Sequence, residues 1–329
     1  MKTKGQFVIS LDFELLWGVR DKKTIASYGK NILGGRDAVA KMLEMFDAYS
    51  VKGTFATVGL LFASNKNALL ELVPTKQPSY ANQNLSPYND YLSSLGTDVK
   101  KDPYHYAADL IDLIEQYPEQ EVATHTFAHY YCLEEGQTVE EFEADMEAAK
   151  QAAKRQNIEL KSLVFPRNQF NEEYLAVCAD KGITSYRGNE KAWFYKAEKG
   201  ADETKLKRAF RLLDTYINIS GHNCSSLKEI AAKKPYNIPS SRFLRPFSTK
   251  LKILEGLRLR RIKKSMTHAA KHGLVFHLWW HPHNFGNHQK ENFGMLQKIL
   301  EHYQELHKTY SFGSATMGEL ANIINGLND

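Results

Sequence analysis

Residues 8–18 read VISLDFELLWG, and this stretch decides how the chain is interpreted. Its apolar, partly β-branched run predicts a buried strand over Phe7–Leu11, yet two acids, Asp12 and Glu14, stand where that strand finishes. Burying one unpartnered carboxylate is costly, and two of the same sign cost more. Positions i and i+2 of a strand project to the same side, so both acids can face one cavity, one as a metal ligand and the other as a base. The alternative is a pair of exposed acids at a strand end.

Outward from this stretch, apolar strand patterns alternate with amphipathic helical ones. Val39, Leu43, Phe46 and Tyr49 have helical spacing, and GTFATVG at 53–59 reads as a second strand. Asp102-Pro103 predicts a helix start. Thr138 with Glu141, and Thr316 with Glu319, have capping-box spacing, and Asn171 opens a helix that Gly182 can end. Strands are expected at 121–123, 162–165 (SLVF), 183–187 (ITSYR) and 274–280 (LVFHLWW), with a helix over 291–308. Repeated strand–helix units argue for an α/β fold with a parallel sheet closed into a barrel or a barrel-like form. Its chemistry belongs at the C-terminal ends of the strands, where Asp12, Glu14, HTFAH, Arg167 and His281 all fall. Segments 74–101 and 189–250 interrupt the rhythm as insertions into one domain spanning 1–329.

At 329 residues with 43% hydrophobic content, a sizeable core is available and disorder is excluded. No apolar run is long enough to cross a bilayer. The N-terminus lacks a signal-peptide pattern, and Cys132, Cys178 and Cys224 form no CxxC pair, so a cytoplasmic protein with reduced thiols is expected. Between Ser241 and Ser265 nine Lys/Arg face Glu255 alone. Such a segment suits an anionic substrate or a membrane surface, with contact through 242–264, or is simply a solvated helix face. Nucleic acid is not expected, because no recognition motif accompanies it.

His125-Thr126-Phe127-Ala128-His129 sets two imidazoles at i and i+4, a spacing that aims both at one point on a helical turn. With twelve histidines in the chain the pattern alone is weak; its place after a strand, with a carboxylate available from VISLDFE, makes an open two-His, one-carboxylate metal site the sharper reading. Trp17, Trp279 and Trp280 flank these motifs, where indole faces can stack on sugars or pack in the core; Trp17 and Trp280 are taken as substrate-binding candidates. His277 and His283 flank His281, and His222 reads as a loop histidine.

Together SLDFE (10–14), VKGTFATVG (51–59), ATHTFAHY (123–130), FPRNQF (165–170), LWWHPHNF (278–285) and SATMGELA (314–321) resemble the polysaccharide deacetylases, the NodB-homology carbohydrate esterases, over nearly the whole chain. The resemblance implies a distorted (β/α) barrel holding a divalent metal, usually zinc, and hydrolysing an N-acetyl group from an amino sugar. It implies Glu14, His125 and His129 as metal ligands, Asp12 as catalytic base and His281 as the acid. Arg167 is then expected to hold Asp12 ionised, and Asp214 to hold the His281 imidazolium at the substrate. Phe13 separates the two acids, which are adjacent in the usual motif, and Pro166 precedes Arg167, reversing the usual order. The expected substrate is a nucleotide- or lipid-linked amino sugar of a cytoplasmic surface-glycan pathway. Deformylation of a formamido sugar, ureide hydrolysis, and a catalytically silent glycan-binding module are the competing readings.

Overall fold

The first strand, β1 (Gln6–Phe13), is central to the sheet. In the computed structural model, which describes residues 4–328, β1 is followed by β2 (Gly53–Thr57), β3 (Glu121–Thr124), β4 (Ser162–Leu163), β5 (Ser185–Tyr186), β6 (Tyr236–Asn237), β7 (Arg242–Phe243), β8 (Val275–Trp280) and β9 (Gly313–Ser314). The strands pair in parallel in the order β6-β5-β4-β3-β2-β1-β8-β7, and β9 pairs with Gln6 and Phe7 of β1. Parallel neighbours need crossover connections, and helices such as Ile25–Ala48, Ala108–Glu115, Val139–Lys154 and Glu172–Asp180 lie in them.

One run joins the two ends of the curled sheet. Tyr236, Ile238 and Ser240 donate their N–H groups to Thr184, Tyr186 and Gly188 beside β5, whereas Ser241 and Leu244 donate to His277 and Trp279 of β8. Thus β6 and β7 are two halves of one bent stave that brings the sheet round into a distorted (β/α) barrel. The stretch 189–250, expected as an insertion, supplies this stave along with the helix Lys205–Asp214.

Period-two alternation divides β1 between two environments. Phe7, Ile9, Leu11 and Phe13 join the main apolar core, which also takes in the helices. Val8 belongs to a separate apolar cluster with Ala56, Val164, Tyr236 and Val275, to which the helix Met317–Asn328 adds Met317, Leu320 and Ile324. On the same side as Val8, the polar residues Ser10 and Asp12 follow toward the C-terminal end of the strand.

Several local signals act as the sequence implies. The Thr138–Glu141 capping box forms, Asn171 accepts from Glu173 and Tyr174, and Thr316 and Glu319 exchange hydrogen bonds. Asp102 does not cap a helix: its carboxylate holds His105 Nδ1 at 2.7 Å and the Gly96 N–H at 3.0 Å, and the helix starts later, at Ala108. One close approach positions the late histidines. A Cβ on Gly35 would stand 2.7 Å from the His283 Cα, so bare backbone on the helix Ile25–Ala48 lets the 281–286 turn lie directly against it.

Candidate active site

Glu14, His125 and His129 converge, fully buried, with their ligand atoms within 4.8 Å of one another. Glu14 Oε2 lies 3.4 Å from His125 Nε2 and 3.1 Å from His129 Nε2. Gly18 makes room for this carboxylate, since a Cβ there would fall 1.9 Å from Glu14 Cδ.

The donor set suits a divalent metal. His125 Nδ1 stands 2.7 Å from the Val164 carbonyl, which can only accept, so in the neutral ring Nδ1 carries the proton and Nε2 turns its lone pair toward the Glu14 carboxylate. Two acceptors facing each other repel, and a cation between them makes the arrangement attractive. An imidazole fixed through its other nitrogen is the usual support of a metal ligand. Ligand atoms about 3.4 Å apart match tetrahedral coordination at about 2.1 Å. Burial, partly offset by Glu14, lowers His129 to about 4 and keeps it neutral. Burial pushes Glu14 upward, but His281, His125 and His129 outweigh it and hold the carboxyl well below its ordinary range. For Glu14 and His129 these are the directions that coordination favours.

The 125–129 segment is not a helical turn. Thr126 and His129 adopt left-handed backbone (φ 62° and 57°), and Phe127 and Ala128 donate their N–H groups to Asp145, at 2.6 and 3.0 Å, on the helix Val139–Lys154. Thr126 Oγ1 accepts the Tyr130 N–H at 2.7 Å. The two rings meet, centroids 4.9 Å apart, because a carboxylate clamps a strained loop.

Asp12 is compensated by an arginine that sequence reading did not assign to it. Arg187, one residue past β5, forks onto Asp12 with Nη1–Oδ1 2.6 Å and Nη2–Oδ2 2.8 Å. Arg187 also donates to Ser10 Oγ at 3.1 Å and Asn168 Oδ1 at 2.9 Å and stacks 4.0 Å from the Trp279 ring centroid. Burial raises the Asp12 pKa, yet Arg187, then His281 and His125, bring it below the ordinary value. Ser10 lies 2.8 Å from His277 Nε2 and His277 Nδ1 3.1 Å from the Ile238 carbonyl, so Ser10 donates onward to His277 and a buried chain supports Arg187. ITSYR already placed Arg187 at a strand end, and the strand-end rule would have selected it.

Four expected site residues lie elsewhere. Arg167, at the end of β4, does not reach Asp12; it pairs with Asp21 and with Glu134 (3.4 Å) and lies over the Tyr131 ring. The FPRNQF turn instead offers Asn168 to the Asp12 network, because Arg167 and Asn168 both adopt left-handed backbone. Asp214 does not hold His281. It accepts from Arg242, Tyr195, Ser220 and the Ile219 N–H, and against a burial that raises it, Arg242, Ser220 and Ile219 hold its pKa at about 2. Trp17 and Trp280 are buried away from the cavity: Trp17 Nε1 donates to the His105 carbonyl, and Trp280 packs on Phe46 and Phe285. Alternation along β8 turns Trp279 inward with His277, and Trp279 lines the cavity.

His281 Nε2 sits 3.6 Å from both Asp12 Oδ2 and Glu14 Oε1, with 23% of its side chain exposed. His283 stacks on it with centroids 5.0 Å apart; burial lowers His283 to about 4, and its Nδ1, which has no hydrogen-bond partner, lies 3.8 Å from Glu14. All these groups border one cavity of about 540 Å³.

No family model matches the sequence, and no curated protein matches it. Solved structures do match. A Mycobacterium smegmatis protein superposes with a TM-score of 0.62 at 12% identity over 100% of this chain and 92% of its own. A Pseudomonas aeruginosa PAO1 protein gives 0.55 at 8% identity over 96% and 89%. Both are provisionally described as polysaccharide deacetylases. The 4-alpha-glucanotransferase of Thermococcus litoralis gives 0.50 at 12% identity over 96% of this chain and 38% of its own. At such identities the likeness is one of fold, and the fold is the NodB-type distorted (β/α) barrel of the polysaccharide deacetylases.

Proposed function

We propose that this protein is a metal-dependent amide hydrolase that removes an N-acetyl group from an amino sugar in a cytoplasmic surface-glycan precursor carried on a nucleotide or a lipid. The observation that supports this most is the convergence of the Glu14–His125–His129 donor set with Asp12 and His281 on one cavity. A divalent metal held by Glu14, His125 and His129, zinc best suiting two imidazoles and a carboxylate, supplies Lewis-acid polarisation of the amide carbonyl and lowers the pKa of water.

The protein's own residues do the rest. Asp12, ionised and fixed in direction by the Arg187 fork, takes the proton of the attacking water. His281 delivers a proton to the departing nitrogen, without which the amine leaves very poorly. Trp279 and Phe243, with ring centroids 4.6 Å apart on the cavity wall, present faces on which a sugar can stack. A lipid carrier would bring a membrane to the 242–264 segment, where Lys250, Lys252, Arg260 and Lys264 are exposed.

The test is to incubate zinc-loaded protein with N-acetyl and N-formyl amino sugars, free, nucleotide-linked and lipid-linked, and to follow acyl loss by mass spectrometry. Loss of acetyl from one class, abolished in Asp12→Asn, is expected. Formate in place of acetate would make the enzyme a deformylase, and no acyl loss with zinc bound overturns the reading.

A further inference from the structure

The cavity that holds the metal donors continues to a second wall of different chemistry. Lys207, Arg211, Arg242 and Arg245 line that wall. Two of them are neutralised locally, Lys207 by Glu198 and Arg211 by Glu203. The other two are not fully compensated.

Arg242 is 3% exposed. Its Nη1 reaches the Asp214 carbonyl at 3.1 Å and the carboxylate at 3.2 Å, while Nε and Nη2, the opposite edge of the guanidinium, have no partner. Asp214 is moreover shared with Arg261, 3.5 Å away. Arg245 is half-buried, and among the described residues no carboxylate lies within ion-pair distance of it. Its Nε donates to Thr215 Oγ1 at 3.1 Å and its Cζ stands 6.0 Å from the Phe243 centroid, so the group is held in place while both terminal nitrogens stay free of protein partners. Glu190 is also on this wall, 6% exposed, with Oε1 unpartnered and with no ion pair to Arg242 or Arg245; burial raises its pKa against the pull of Arg242 and Arg187.

Phe243 links the two walls. Its ring lies 5.9 Å from that of His281 and 4.6 Å from that of Trp279, and the Arg245 Cζ stands 6.0 Å from its centroid. A sugar lying on these aromatic faces, with its amide at Asp12 and His281, would bring a substituent to Arg245.

We propose that Arg245, backed by Arg242, forms an oxyanion subsite that binds a phosphoryl group on the sugar substrate. This rests on the amino-sugar reading above and narrows it to phosphorylated amino sugars. It also divides the basic segment by role. Arg242 and Arg245 serve the subsite, and Arg258 and Arg261 are buried struts bonded to the Arg245 and Gly221 carbonyls. Arg245, preorganised and free of an ion-pair partner, can give charge-assisted hydrogen bonds their full effect, and with the unpartnered Nε–Nη2 edge of Arg242, whose other edge is held by Asp214, it suits a phosphate better than a single carboxylate.

The experiment is calorimetric titration of the full-length protein, with and without zinc, using N-acetylglucosamine 1-phosphate and N-acetylglucosamine. The phosphorylated sugar should bind about tenfold or more tightly, in both metal states, and Arg245→Gln should close the gap. Because Arg242 is buried and its replacement can disturb folding, Arg245→Gln carries the test and circular dichroism confirms its fold. Equal affinities for the two sugars, or a gap that persists in Arg245→Gln, overturns the subsite. A nucleoside-diphosphate amino sugar and a polyprenyl-diphosphate amino sugar in detergent micelles then separate the carriers, an Arg245-dependent gain with either supporting the subsite. Should the gap close while no substrate loses its acyl group, the hydrolase reading fails and the subsite stands. Should acyl groups be lost equally well from neutral and phosphorylated sugars, the subsite fails and the hydrolase stands.

Discussion

Arg187 and Arg167 follow adjacent strands, β5 and β4, yet their surroundings differ. Arg187 is 1% exposed, spends both terminal nitrogens on Asp12, and has Ser10, Asn168 and the Trp279 face to fix its plane. Arg167 keeps 20% of its side chain exposed and ties Asp21 to Glu134 beside Tyr131. Both are cations at strand ends; one neutralises a buried acid of the cavity, and the other braces the loops around it. Charge and position on the sheet do not separate them, whereas burial and bidentate geometry do.

The largest effect is expected from breaking the buried member. Arg187→Gln leaves Asp12 as an uncompensated buried charge, which should lower unfolding free energy by about 3–5 kcal/mol and turnover by at least about a hundredfold. Arg187→Lys should not restore turnover, because an ammonium cannot reproduce the fork. The proposed metal should bind Arg187→Gln as it binds the wild type, since Glu14, His125 and His129 are not partners of Arg187, whereas His129→Ala should lose it. Denaturant melts, acyl-release rates and metal analysis of the same preparations check this. An Arg187→Gln protein as active as wild type would remove the distinction between the two arginines.

A smaller effect should come from acid, through the support behind Arg187. Burial, then Arg187, lowers His277 to about 3 from the ordinary 6.5. The unfolded chain thus takes up a proton that the folded chain refuses. The contribution is fully present above about pH 6.5 and is lost as the pH falls toward 3, with a slope of about 1.4 kcal/mol per pH unit within that window. His277→Gln should flatten the acid side of the stability profile by that one proton. A profile of unchanged slope would mean that His277 does not stay neutral beside Ser10.

What could be read from the residues follows the range of the interactions involved. Alternation in VISLDFE, the capping pairs Thr138–Glu141 and Thr316–Glu319, and the Asn171 cap are local, and the structure repeats them. The parallel sheet follows from strand–helix succession, and the grouping of acids and histidines at strand ends follows from the sheet. The choice between Arg167 and Arg187 was not local, since the partner of Asp12 lies 175 positions away. The HTFAH spacing also misled in shape though not in convergence: Asp145, on a later helix, takes two N–H groups that a helical turn would have used differently. Trp279 could have been preferred over Trp280, because period two sets it on the same side as His277, two residues earlier.

The less buried arginine should be the milder one. Arg167 borders the cavity but has no bond to Asp12, so Arg167→Gln loses two largely buried ion pairs, to Asp21 and Glu134, and should lower stability by about 1–3 kcal/mol, less than Arg187→Gln. Turnover should stay within about threefold of wild type, and any loss should appear in KM, because a brace near the cavity mouth acts on substrate capture and not on proton transfer. If kcat fell as far in Arg167→Gln as in Arg187→Gln, Arg167 would have to swing onto Asp12 or the substrate during the reaction. That motion would require Asp21 and Glu134 to release it, and the double variant Asp21→Asn/Glu134→Gln, which frees the guanidinium, would then raise kcat.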